Sequence, residues 1–386
     1  MDKVNIAKIF GSDVKDIMRL LNSSGKECYI VGGAVRDLLL QHKEFRDIDL
    51  TTPLRVEQLK QIFDLNQIKF NDRALKYGSL MIRKQKRSLQ ITSFRKDIQT
   101  FGRSADVAHI ENIEEDAKRR DFTINAFYCS YNGEIIDPLG NLKDLNKKKL
   151  KFIGDPEKRI TEDYLRILRF FRFVAVLDLK NKNIVSNYLP IIKKHLHRLT
   201  ELSDERVAIE IRKILLAGSP SYALSLMNKA GLYEKFLGVY SQKSLHKIER
   251  LERRFELKPA LVRRLLALEI QNPNRLMSKK EKKYFKDLSA LLDFEHNSDY
   301  LGYKVGEKSS LDFLIIKAIK NGVSIKTRDI QKIKKASKRI FPIKFSDVQI
   351  LTKDLNTTKE KMDLMEDFWI RSGFKASKGK LLGLLN

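Results

Sequence analysis

Two carboxylates stand two residues apart, Asp47 and Asp49, in the stretch VGGAVRDLLLQHKEFRDIDLTT that runs from Val31 to Thr52. On a β-strand, residues i and i+2 project from the same face, so Asp47 and Asp49 can hold one divalent cation while Ile48 and Leu50 point the other way. Mg²⁺ prefers one or two carboxylates plus substrate phosphates, and ions so placed can activate an attacking hydroxyl and stabilise a leaving phosphate. The bare pair fits two exposed acids in a turn equally well. Its neighbours add a second function. Gly32 and Gly33 sit between an apolar run and a short amphipathic segment, where backbone N–H groups at a helix start can cradle phosphate. Arg36, one turn into that segment, can add a charge-assisted bond to a triphosphate. Asp37 reads as its salt-bridge partner or a cap.

These residues need elements to hold them. CYIVGG reads as a strand ending in a turn, Ala34 to Gln41 as a short helix and DIDLTT as a strand. SLMIRKQ and SLQITSF suggest a hairpin around Lys84–Arg87. FTINAFYCS and EIIDP suggest another around Tyr131, Asn132 and Gly133. This is an α+β head with a mixed or antiparallel sheet. After Pro156 strand signals fade: TEDYLRILRFFRFVAVL and DERVAIEIRKILLAG carry helical spacing, and Gly218 is a stop signal. The expected division is a head at 1–145, an all-α neck at 146–218, and an all-α body and tail at 219–386.

The chain has 386 residues, with Lys plus Arg at 76 against 49 acids and a formal net charge of +27. That excess suits a polyanionic partner such as nucleic acid, or a basic solvated surface with no partner. Cys28 and Cys129 are far apart and form no metal-binding or disulfide pattern. No apolar run approaches a membrane span, so no membrane contact is expected, and a reducing cytoplasm is the expected setting.

GGAVRD followed by RDIDLTT resembles the signature of the class II tRNA nucleotidyltransferase and bacterial poly(A) polymerase family, within the polymerase-beta-like nucleotidyltransferases. Further matches follow in order: EEDAKRRDFTINAF (114–127), GEIIDPLGNLKDL (133–145), EDYLRILRFFRF (162–173) and DERVAIEIRKIL (204–215). The resemblance covers about residues 25–235. It implies a nucleotidyltransferase head, Mg²⁺ at Asp47 and Asp49, and nucleotide contacts from Arg120 and Asp121, the latter reading ribose hydroxyls. It also implies base reading by Asp163 and Arg166. An Asp acceptor beside an Arg donor suits cytosine and adenine, whose amine lies next to a ring-nitrogen acceptor, and mispairs with uracil and guanine. Arg169 and Arg172 are expected to reach phosphate or brace that pair. Without the family, the same row is a charged stripe flanking Leu165, Leu168 and Phe171. Val207, Ile211 and Leu215 share one face of a buttressing helix, with Glu205, Arg206 or Glu210 fixing the base-reading helix, and Asn125 is structural.

The long polar stretch RKDIQTFGRSADVAHIENIEED reads as a surface loop. In the family its counterpart is a flexible loop needed between C and A addition, with Arg95, Asp97 and Arg103 as candidates. The basic stretches Lys279–Leu288 and Lys326–Lys344 suit RNA backbone. No His–Asp phosphohydrolase pair follows residue 220. The resulting expectation is template-independent addition of CMP, CMP and AMP from CTP and ATP to the tRNA 3′ end, with tRNA held at its 3′ end and elbow and no stable protein partner. The rivals are a poly(A) polymerase, a CC-only or A-only enzyme, and a non-catalytic RNA-binding protein. Poly(A) polymerases usually carry a basic-aromatic signature soon after the acidic pair, where this chain reads IKFNDRALKYGSLMI.

Overall fold

The computed structural model describes residues 3–42, 45, 47–84, 87–101, 104–179, 183–352 and 354–385. The chain divides into two compact units, Met1–Tyr233 and Glu234–Asn386. The first holds a mixed seven-stranded sheet and helices, and the second is built of helices.

The sheet strands are β1 (Tyr29–Val31), β2 (Asp47–Thr52), β3 (Phe70–Asn71), β4 (Ser79–Lys84), β5 (Arg87–Ser93), β8 (Tyr128–Cys129) and β9 (Ile135–Ile136), ordered β3-β4-β5-β2-β1-β8-β9. β2 lies between β5, to which it is parallel, and β1, to which it is antiparallel. Its alternation decides its facing: Ile48 and Leu50 are fully buried, while Asp47 and Asp49 open to the other side. In the β1–β2 register Val31 stands opposite Asp49. Gly32, the next residue, therefore leaves β1 at the same end of the sheet as both carboxylates. There the chain turns at once into the helix Gly33–Leu39.

The expected first hairpin is β4–β5, with its tip at 85–86 outside the described residues. The second is shorter than expected. Thr123–Asn125 forms a 3-10 turn, leaving only Tyr128–Cys129 to pair with Ile135–Ile136. That turn places the Asn125 amide between Asp121 and Arg36, to which it bonds. The stretch expected as a loop forms its own two-stranded sheet, β6 (Arg95–Phe101) with β7 (Ser104–His109). Its β-prone residues Ile98, Thr100, Phe101 and Val107 were masked in the sequence by polar neighbours. Arg103 lies outside the described residues.

The helical run expected from Thr161 to Leu177 is broken. One helix, Pro156–Glu162, ends where Asp163 takes an extended conformation (φ −153°, ψ 106°), and a second runs Leu165–Val176. The cause is local: Asp163 Oδ1 accepts the Leu165 N–H at 3.1 Å, a side-chain bond that starts the second helix and competes with continuing the first. The helix Asp204–Leu215 forms as expected, with the Ser203 hydroxyl accepting from Arg206 N–H. Its Val207, Ile211 and Leu215 are buried.

In the second unit a buried ionic network ties the helices Gln242–Arg254, Leu261–Ala267 and Lys279–Leu292 to the part of Ser298–Lys320 that follows its kink at Gly306. Arg263 donates to Glu252 at 2.7 Å and to Asp312 at 2.6 Å. Arg264 donates to Glu252, and the Tyr284 hydroxyl to Asp312 at 2.7 Å. A second core gathers Met365, Trp369 and Leu381 near the chain end. Among the described residues no helix is long and apolar enough to cross a membrane. Removing one partner from a buried ion pair strands the other charge. Asp312→Ala should therefore destabilise the second unit by about 3–5 kcal/mol, read as an earlier transition in urea denaturation; an unchanged midpoint would show that the network adds no stability.

Candidate active site

In the first unit a cleft of about 660 Å³ opens between the sheet end and the helices Leu165–Val176 and Asp204–Leu215. Gly32, Gly33, Arg36, Asp47, Asp49, Arg120, Asp121, Arg169 and Arg172 all line it. Asp163 and Arg166 are not part of the lining.

The Gly32 turn is set by backbone alone. Gly32 adopts φ 74° and ψ −127°, a region that a side chain makes costly, and its N–H is spent on the Phe127 carbonyl. The donors left to face the cleft are the first amides of the helix, Gly33 and Ala34. Gly33 has no positive φ; a methyl there would meet only Arg36 Nη2, at 3.7 Å.

Asp47 and Asp49 differ from every other acid of the cleft. Among the described residues neither has a hydrogen-bond or ion-pair partner within the chain, whereas Asp37 is held by Arg36 and Asp121 by Arg169. Burial raises the Asp49 carboxyl above its ordinary value, Arg120 and Arg169 oppose that shift, and Asp47 adds to it. Two carboxylates with free lone pairs on one strand face fit a divalent cation. Among the described residues no group of three or more His, Cys, Asp or Glu is placed to hold a metal ion, so the further ligands of an ion on this pair would be substrate oxygens and water.

The arginines are held by acids behind them. Asp116, fully buried, takes Arg119 Nε at 2.7 Å, Arg120 Nη2 at 2.9 Å and the Tyr128 hydroxyl at 2.7 Å. Burial alone would raise its carboxyl, but Arg120 and Arg119 bring it down to about 2. Arg120 Nη1 lies beside Gly32, 3.6 Å from where a Cβ would stand. Asp121 Oδ1 accepts from Phe122 N–H and Asn125 Nδ2, and Oδ2 takes Arg169 through Nε at 2.7 Å and Nη2 at 2.5 Å. All four of its acceptor positions are used. Arg36 is also committed, to Asp37 at 2.6 Å and Asn125 at 2.8 Å. Arg172 donates to buried Glu210 at 3.1 Å; burial and the neighbouring Arg169 lower its pKa to about 10, leaving it charged at neutral pH. Arg36, Arg169 and Arg172 all lie over the Phe173 ring, at 5.2, 5.9 and 4.4 Å from its centroid.

Asp163 and Arg166 are occupied elsewhere. Asp163 Oδ2 takes Arg206 Nη2 at 2.8 Å, and Arg166 Nη1 donates at 2.6 Å both to the Arg159 carbonyl and to Glu162. Glu162 also pairs with Arg159, whose other nitrogen donates to the carbonyls of Arg119 and Arg120. The helix start that was expected to read the base is thereby tied to the backbone of the RRD segment. Arg206 and Glu210 do brace this helix, one through Asp163 and the other through Arg172. Sequence reasoning missed Arg119, Phe173 and Lys213 as lining residues. Only Phe173 carried a signal, as the i+4 neighbour of Arg169.

Residues 28–151 match the family model described as Poly A polymerase head domain, and 187–241 the one described as probable RNA and SrmB-binding site of polymerase A. The CCA-adding enzyme of Bacillus pumilus is 30% identical over 364 residues, 89% of this chain and 87% of that protein. The chain belongs to the class II CCA-adding enzyme family. The CCA-adding enzyme of Streptococcus uberis is 35% identical over 59% of this chain, and the human mitochondrial CCA tRNA nucleotidyltransferase 1 is 32% identical over 64%. The matches span only 55% and 56% of those two relatives' length. The fold is that of the Bacillus stearothermophilus CCA-adding enzyme solved with CTP, with TM-score 0.67, 24% identity and coverage of 97% and 96% of the two chains. Membership of this nucleotidyltransferase family implies a divalent metal, which the free pair Asp47 and Asp49 fits.

The two glycines should separate in experiment. Gly32→Ala forces a strained backbone and should cost about 1–3 kcal/mol of stability. Gly33→Ala should keep its stability, because its methyl would make only an ordinary contact with Arg36 Nη2, and should weaken CTP binding if the helix start is where phosphate binds. Urea denaturation and CTP titration of both variants check this; equal effects on both readouts would remove the distinction.

Proposed function

We propose that this protein adds CMP, CMP and AMP, from CTP and ATP, to the 3′ end of tRNA without a template, releasing pyrophosphate. The observation that carries the reading is the pair Asp47 and Asp49, without a partner among the described residues, at the mouth of a glycine-turned helix start inside a cleft whose arginines are already braced. Residues 1–145 would be the catalytic head, 146–218 the neck that recognises the nucleotide, and 219–386 the body and tail that grip tRNA, in a cytoplasmic setting.

Asp47 and Asp49 would hold the divalent ion, Mg²⁺ in this proposal, which when bound supplies charge to activate the RNA 3′ hydroxyl and to neutralise the leaving pyrophosphate. The chain's own part is positioning. The Gly33 and Ala34 amides receive phosphate oxygens at the helix start. Arg120 offers Nη1, its other nitrogens being held by Tyr128 and Asp116. Arg169 and Arg172 add charge from the helix Leu165–Val176. Arg36, fixed by Asp37 and Asn125, holds the turn and adds positive potential at the phosphates. Ribose selection belongs to Asp121: a 2′ hydroxyl would take the place of one Arg169 N–H, and a deoxyribose could not. Base selection belongs to Asp163 and Arg166, which would exchange Arg206 and Glu162 for the base edge. The basic helices after residue 219 hold RNA backbone rather than sequence.

The test uses purified protein and tRNA ending at its discriminator base, with each nucleoside triphosphate scored separately. Two C additions followed by one A, with U and G rejected, is the expected result. A-only chains of many residues would indicate a poly(A) polymerase, an arrest after CC a CC-only enzyme, and no transfer a binding protein. Asp47→Ala and Asp49→Ala should each abolish addition while tRNA binding survives; turnover near wild type in either would refute the metal assignment. Asp163→Ala should weaken use of C and A together and raise relative use of U and G by about ten- to a hundredfold, the value of a lost hydrogen-bond pair. Unequal effects on C and A would place base reading elsewhere.

A further inference from the structure

The cations lining the cleft are of two kinds. Arg36, Arg119, Arg120, Arg169 and Arg172 are each paired with a carboxylate. Lys213 is not: among the described residues its ammonium has no hydrogen-bond or ion-pair partner. Its place follows from two ion pairs. Asp163–Arg206 and Arg172–Glu210 both step toward the C-termini, so the helices Leu165–Val176 and Asp204–Leu215 run in the same sense. Lys213, nearly one turn past Glu210, therefore lies at the end of this wall away from Asp163. Val176, Leu216 and Ala217 line the cleft with it and offer no anion. The field at Lys213 comes from Arg172 and Arg169 against Glu210 and Asp47, and Asp49 in turn feels Lys213. Burial and Arg172 lower its pKa, as expected of a cation crowded by cations. An unpaired ammonium beside two arginines raises the energy of the empty cleft, and a polyanion entering it removes that cost.

We infer that Lys213 is a substrate-binding residue whose ammonium takes a phosphate oxygen in the cleft, at the carboxylate end opposite Asp163. This rests on the nucleotidyl-transfer reading and adds to it a cation of the motif DERVAIEIRKIL, on the helix Asp204–Leu215, that the sequence reading did not single out. The phosphate belongs either to the incoming nucleotide or to the terminal residue of the RNA, and the two are separable. Lys213→Met and Lys213→Arg are titrated at equilibrium with CTP and, separately, with tRNA ending at its discriminator base. These titrations need no turnover, so the inference is judged even if wild-type protein transfers no nucleotide, an outcome that would count against the proposed reaction alone.

Lys213→Met should weaken CTP if the nucleotide supplies the phosphate, or tRNA if the RNA does, by roughly ten- to a hundredfold. Lys213→Arg should stay near wild type and thermal denaturation should be unchanged in both. In turnover, the KM for the affected substrate should rise more than kcat falls. CTP and tRNA affinities both within twofold of wild type in Lys213→Met, with Mn²⁺ alone binding more tightly, would make Lys213 a counter-ion of Asp47 and overturn the inference. Failure of Lys213→Arg to restore binding would overturn it too.

Discussion

A cleft lined by five arginines must hold many positive charges close together, and those charges repel. This protein meets that constraint with carboxylates placed behind the arginines. Asp37 holds Arg36, Asp116 holds Arg119 and Arg120, Asp121 holds Arg169, and Glu210 holds Arg172. Asp116, Asp121 and Glu210 are buried, where a charged pair is strong only if its geometry is good and its remaining lone pairs are used. Asp121 meets that condition fully, with a donor at every acceptor position. Phe173 completes the arrangement by presenting one ring to three guanidinium groups. Against this background the bare carboxylates of Asp47 and Asp49 stand out as the only acids of the cleft, among the described residues, left for a ligand.

The sheet makes this placement possible. Because β2 is flanked by β1 and β5, its buried face is fixed by Ile48 and Leu50, and a one-residue slip would turn both aspartates into the core. The same register brings the Gly32 turn to the aspartate end. The helix that supplies Arg169 and Arg172 starts at Asp163, whose side chain both ends one helix and begins the next. Glu162 and Arg159 then tie this start to the carbonyls of Arg119 and Arg120, so the wall carrying the arginines and the segment carrying Asp121 are held to each other.

Much of this was legible in the sequence because it depends on short-range rules. Alternation gave the facing of β2, the Gly-Gly turn gave the helix start, and the spacing of Val207, Ile211 and Leu215 gave a buried helix face. The break at Asp163 was not legible, because helical periodicity continues across it and only the side-chain bond to Leu165 N–H decides it. Nor was the β6–β7 pair, whose partners are each other rather than the main sheet. The partners of Arg36 and Asp121 depend on Asn125, reached through a tight turn that reads as strand. Lys213 was not singled out within DERVAIEIRKIL, because its place in the cleft and its lack of a partner among the described residues are properties of three dimensions.

The most direct measurement is a crystal structure with CTP and Mn²⁺, with anomalous scattering used to place the metal. The account predicts a metal peak bonded to both Asp47 and Asp49, phosphate oxygens on the Gly33 and Ala34 amides, and Asp116, Asp121 and Glu210 still holding their arginines. A nucleotide bound away from the Gly32 turn, or a metal that contacts neither aspartate, would contradict it.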